Sequence, residues 1–131
     1  MLRVLTVPIL GLLAATQPAH AQHTPLPEVS DSGIEYPNVA SAWEALSSRD
    51  DIEIRSENGW QIVIDQSALA IWSFSPPDYP AYPAVVKRQV VPIGNRSDVR
   101  MSISCEASKE ACDNLVIEFQ ELLDRSLSGR R

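Results

Sequence analysis

"IEIRSENGWQIVID", residues 52–65, is where the period of the chain changes from 3.6 to 2. Ile52 and Ile54 alternate with Glu53 and Arg55, and Trp60, Ile62 and Ile64 alternate with Gln61, Val63 and Asp65. Between the two runs stands Asn58-Gly59, a dipeptide that readily takes the positive φ angles of a tight primed turn. The stretch predicts a β-hairpin, and with it a sheet at the centre of the chain.

Working toward the C-terminus, "ALAIWSF" (68–74) reads as a third strand after a short turn at Gln66-Ser67. "AVVKRQVVPIG" (84–94) makes a fourth, "GNRS" (94–97) is turn chemistry, and "DVRMSISC" (98–105) alternates Val99, Met101, Ile103 and Cys105 with polar partners as a fifth. The last element is a helix with a continuous apolar stripe: Ser108 as N-cap, then Cys112, Leu115, Val116, Phe119, Leu122, Leu123 and Leu127 at helical spacing, ending at Gly129. Upstream, Val39, Ala42, Trp43 and Leu46 stand at helical spacing behind Asn38, which predicts a short helix over 38–48.

Helix, five strands, helix predicts an α+β fold: an antiparallel meander sheet of about five strands with the N-terminal and C-terminal helices packed on one face. Trp60, Ile62, Ile64, Val99, Met101 and Ile103 are then expected on the covered side, and Glu53, Arg55, Gln61, Arg100 and Ser102 in solvent. The third strand does not choose a side. Leu69 and Ile71 point one way and Ala70, Trp72 and Phe74 the other, so either the strand is central with both sides packed, or the lead-in covers one side, or an apolar patch is exposed.

The N-terminus, "MLRVLTVPILGLLAATQPAHAQ", has a cation at Arg3, an apolar run from Val4 to Ala15 and Ala19-His20-Ala21, the pattern of a secretory signal peptide cleaved after Ala21. The run is short of the ~20 residues that span a bilayer, so no membrane insertion is expected after cleavage. The expected organisation is a signal peptide over 1–21, an extended lead-in over 22–37 that docks through Ile34 and Tyr36, and a single domain over 38–129. The address is periplasmic or secreted.

The formal net charge is −6, and −7 once Arg3 leaves with the signal, which argues against nucleic acid as a partner. Two cysteines, Cys105 and Cys112, delivered to an oxidising compartment, are expected to form a structural disulfide; a redox-active pair is the alternative, but its usual spacing is C-x-x-C. Beyond residue 21 the chain holds one histidine, His23, too few for a Ser-His-Asp triad or the usual zinc sites, so neither metal nor cofactor is expected. The acids placed near strand ends are Asp65, Asp78 and Asp98, and Ser75 with Lys87 is the one serine-lysine combination to weigh. Surface turns carry aspartate for ordinary conformational reasons, and catalysis is not the leading expectation.

"WSFSPPDYPAYPAVVKR" (72–88) holds four prolines and two tyrosines before two cations. Proline fixes φ and extends the residue before it, so the segment is stiff and loses little entropy on binding. It reads as a corner between strands, and as a contact surface built from Trp72, Phe74, Tyr79, Tyr82, Lys87 and Arg88. Together with "CEASKEACDNLVIEFQ" (105–120) it resembles a group of small exported proteobacterial proteins of uncharacterised function that pair a W-S-F-x-P-P-x-x-P-A-Y-P-A-V-V-K-R-like segment with two late cysteines. The resemblance covers residues 36–125, implies a Gram-negative periplasmic address and carries no activity, cofactor or catalytic residue with it. This chain has Asp78-Tyr79 where the resembling segments have Gly-His.

The leading expectation is a periplasmic binding or accessory protein, without catalytic activity, that contacts a protein or envelope component through the corner. An inhibitor of an envelope hydrolase is the alternative, and a carboxylate-dependent enzyme the third reading.

Overall fold

The computed structural model describes residues 25–27 and 32–129; the expected signal peptide over 1–21 and residues 22–24 and 28–31 of the lead-in lie outside the described residues. The chain order is α1 (Val39–Ser47), β1 (Glu53–Glu57), β2 (Trp60–Asp65), β3 (Ala70–Phe74), β4 (Ala84–Ile93), β5 (Arg96–Cys105) and α2 (Lys109–Ser128). The strands form one antiparallel sheet in the order β1-β2-β3-β4-β5, so the α+β class and the five-strand meander are as the periodicity indicated.

The Asn58-Gly59 turn has positive φ at both positions, 50° and 83°, and Glu57 pairs with Trp60 across it, which is the geometry of a two-residue primed turn. The second turn is less conventional. Leu69 sits at φ 52°, its N–H donating to Gln66 O at 3.3 Å, while Asp65 accepts from Ala68 N (3.2 Å) and Ser67 Oγ (2.7 Å). This clamp holds residues 66–69 as a turn, so β3 begins at Ala70, two residues later than the apolar run.

Both helices are capped as their sequences indicate. Asn38 accepts from Ser41 N at 2.8 Å and Ser41 Oγ lies 3.2 Å from Asn38 N, a reciprocal capping box, and Ser108 accepts from Ala111 N at 3.2 Å. Cys105 at the end of β5 and Cys112 in the first turn of α2 form a disulfide with a Cα–Cα distance of 5.9 Å.

The placement of the helices departs from the expectation of a single covered face. Val63 pairs with Trp72 and Phe74 with Val85, and this side packs against Val39, Ala42 and Leu46 of α1. The opposite side, with Trp60, Val86, Met101 and Ile103, packs against Ala111, Leu115 and Phe119 of α2. The sheet is thus sandwiched between the two helices. The reason lies in β3, the central strand, whose neighbouring residues Trp72 and Ser73 are both buried, each needing a cover.

The lead-in completes the first cover. Ile34 and Tyr36 join the α1 side of the core, with Tyr36 and Trp72 ring centroids 5.8 Å apart. Leu26 is held at α2, its N–H donating to Asp113 (3.1 Å) and its carbonyl accepting from Lys109 Nζ (2.6 Å). Gly33, at φ +69°, approaches β5 so closely that a Cβ there would meet Ser102 Oγ at 2.7 Å. Beyond Gln89, the last residue of β4 paired with β3, the β4–β5 pair continues to its turn as a two-stranded arm.

Candidate functional site

The segment between β3 and β4 is built as a series of turns. Ser75 N donates to Ala84 O (3.0 Å) and Ser75 Oγ accepts from Ala84 N (2.9 Å), which closes its base. Tyr79 N then donates to Pro76 O (3.1 Å) and Tyr82 N to Tyr79 O (3.0 Å), and the Tyr82–Pro83 peptide is cis. Ala81 is buried against the α2 side of the core. A stiff, packed corner is what the prolines produce.

The corner sends its two tyrosines to different places. Tyr82 is 47% exposed. Tyr79 turns back onto the sheet, meeting Trp60 edge-on at 4.9 Å between centroids, and its hydroxyl donates to the Glu118 carboxylate of α2. Burial first and Glu118 second push the Tyr79 phenol up to about 12, since both oppose the phenolate.

Of the other residues expected at a contact surface, Trp72 and Phe74 lie in the core at 4% and 6% exposure, Phe74 against Trp43 of α1 at 5.2 Å. Their burial makes them packing residues and takes them off the surface. Lys87 is 6% exposed, its ammonium paired with Glu35 of the lead-in and 4.9 Å from the Trp72 ring centroid. Arg88, one residue on, stands on the opposite face, its guanidinium carbon 5.7 Å from the Phe119 ring centroid. The six residues are therefore divided: Trp72, Phe74 and Lys87 belong to the α1 side of the sheet, Tyr79 and Arg88 to the α2 side, and Tyr82 is exposed on the corner.

Where those two meet there is a groove of about 440 Å³ between α2 and the β1–β2 hairpin. Trp60, Ile62, Tyr79 and Phe119 supply its apolar walls, Ser73 and Arg88 its polar lining, and Glu57, Glu118, Glu121 and Arg125 further charge. Arg88 Nε is buried with no hydrogen-bond partner, and the guanidinium has no ion pair among the described residues. Burial pushes it below its ordinary arginine value. An uncompensated buried donor costs on the order of 1–3 kcal/mol, more when charged.

Sequence reasoning names Tyr79 and Arg88 as contact residues but places Trp60 on the covered side of the sheet and Phe119 in the apolar stripe of the last helix, and does not single out Glu118. The signal that would have grouped them is the register: Arg88 pairs with Ile71, which pairs with Ile64, and so shares a face with Trp60 and with α2.

The acids do not converge. Asp65 is buried and held by Arg49 Nη1 at 2.8 Å, Asp78 is exposed in the corner at the other end of β3, and Asp98 is exposed on the arm. Ser75 Oγ is engaged with Ala84 N, and Lys87 with Glu35. Among the described residues no cluster of three His, Cys, Asp or Glu side chains is placed to hold a metal, and no helix is long and apolar enough to cross a membrane. Comparison with family models, with curated proteins and with solved structures finds no match for this chain.

Proposed function

We propose that this chain is an exported binding or accessory protein of the cell envelope that engages a protein or envelope component through the surface formed by the proline-tyrosine corner and the adjoining groove. The observation that carries the reading is Arg88: a half-buried cation whose buried Nε has no hydrogen-bond partner among the described residues, in a groove walled by Trp60, Tyr79 and Phe119. Rigid aromatic rings around one desolvated charge are what binding hot spots are made of. The corner adds Tyr82 as an exposed ring on a preordered segment, which lowers the entropy lost on contact. The N-terminal signal-like segment and the disulfide support an oxidising compartment. The resemblance to small exported proteobacterial proteins points the same way.

The test is site-specific photocrosslinking in the periplasm of a Gram-negative host. A benzophenone amino acid in place of Tyr82 is expected to trap a discrete partner, and the same group at Asp98 on the distant arm is expected to trap none. Equal trapping at both positions, or none at Tyr82, would count against the reading.

A further inference from the structure

Given the reading of the groove as a contact site, its chemistry narrows what enters it. Its lining sets three carboxylates, Glu57, Glu118 and Glu121, against two guanidiniums, Arg88 and Arg125. A dianion such as phosphate would therefore meet net repulsion, and a wholly apolar ligand would leave Arg88 uncompensated. A single negative charge attached to an apolar body satisfies both conditions. A positive charge set back from it suits the glutamates.

We infer that the groove receives the free carboxyl end of a peptide: the terminal carboxylate on Arg88, an apolar last side chain against the wall that Trp60 and Phe119 form together, and a basic residue upstream near Glu121. Several features of the groove agree. The guanidinium is a forked donor matched to a carboxylate. Trp60 and Phe119 stand 5.6 Å apart between centroids and form one continuous apolar wall. The Tyr79–Glu118 hydrogen bond fixes one side of the opening, so the site is largely preformed. The volume suits the last two or three residues of a peptide.

The test is calorimetric titration of the full exported chain with acetyl-lysyl-alanyl-leucine as the free acid and as its C-terminal amide, at physiological ionic strength. The free acid is expected to bind, and the amide at least roughly tenfold more weakly, the worth of a charge-assisted hydrogen bond. Arg88→Gln should remove the difference between acid and amide, and Arg88→Lys should retain part of it, since the charge stays and the fork does not. Both variants are compared by thermal unfolding, and the acid–amide comparison on the unaltered chain stands without either. Equal binding of acid and amide, or inorganic phosphate competing more strongly than the acid, overturns the inference. In that event a Tyr82 crosslink would still uphold the wider surface reading, whereas loss of both crosslink and peptide binding would remove the two together.

Discussion

Lys87 and Arg88 are consecutive in β4 and stand on opposite faces of the sheet, one against Trp72 on the α1 side and the other against Phe119 on the α2 side. The period of two in a strand forces this separation. A pair of cations that reads as one basic patch in the sequence is therefore two unrelated charges. Lys87 is neutralised by Glu35 of the lead-in, while Arg88 has no ion pair among the described residues and its Nε no hydrogen-bond partner.

The Lys87–Glu35 pair is asymmetric, with Lys87 buried and Glu35 59% exposed at its side chain. Removing Glu35 strands a buried ammonium, whereas removing Lys87 returns a carboxylate to water. Glu35→Ala is expected to destabilise by about 1–2 kcal/mol, and Lys87→Met by less than half as much. Urea unfolding of the two variants at neutral pH measures the difference; the reverse order would contradict the burial argument.

Trp72 and Tyr82 separate core from surface. Trp72→Ala should cost about 3–5 kcal/mol, because it empties the space between Tyr36, Val63 and α1. Tyr82→Ala should stay within about 0.5 kcal/mol, as exposed positions usually do. Thermal unfolding followed by circular dichroism distinguishes them, and a large loss for Tyr82→Ala would make the corner purely architectural.

The hairpin, the caps and the disulfide were legible because each rests on local chemistry: Asn58-Gly59 for the turn, Asn38 and Ser108 for the helix starts, and Cys105 and Cys112 for the link between β5 and α2. The start of β3 was not. The Asp65 clamp and the left-handed Leu69 override an apolar run that looks like strand, and Leu69 ends up exposed. The division of the helices between two faces was hidden for a different reason. Period-two patterning says which residues share a face, but not which helix covers it, and only the two-sided third strand hinted that both faces were packed. The groove was half visible, since Tyr79 and Arg88 lie in the corner segment while Phe119 and Glu118 come from a helix thirty or so residues on.

Asp65 provides a pH test. Its hydrogen bond from Arg49, together with those from Ser67 and Ala68, outweighs the opposing effect of burial and holds the carboxyl below its ordinary value of 3.8. A depressed folded-state value contributes stability in full above the unfolded-chain value, and that stability is lost as pH falls through the folded-state value. Asp65→Asn is expected to cost about 1–3 kcal/mol at pH 7, with the gap to the unaltered chain shrinking below pH 4. A gap that is constant with pH would show that the charge on Asp65 does not matter.

Tyr79 gives the corresponding reading on the groove. Its phenol is held up to about 12 chiefly by burial and then by Glu118. Glu118→Gln should lower the midpoint only in part, because burial persists. The tyrosinate absorbance that disappears in Tyr79→Phe reports the titration, and an unchanged midpoint in Glu118→Gln would mean that the contact between corner and helix is absent in solution.

The most direct measurement is the arginine Nε–H resonance of Arg88, followed in a nitrogen-15 spectrum beside the Trp60 indole while acetyl-lysyl-alanyl-leucine is added. Both signals should move saturably with the free acid and stay nearly still with the amide. Signals that stay fixed with the acid, or move equally with both peptides, would contradict the assignment of this groove to a carboxylate-ended partner.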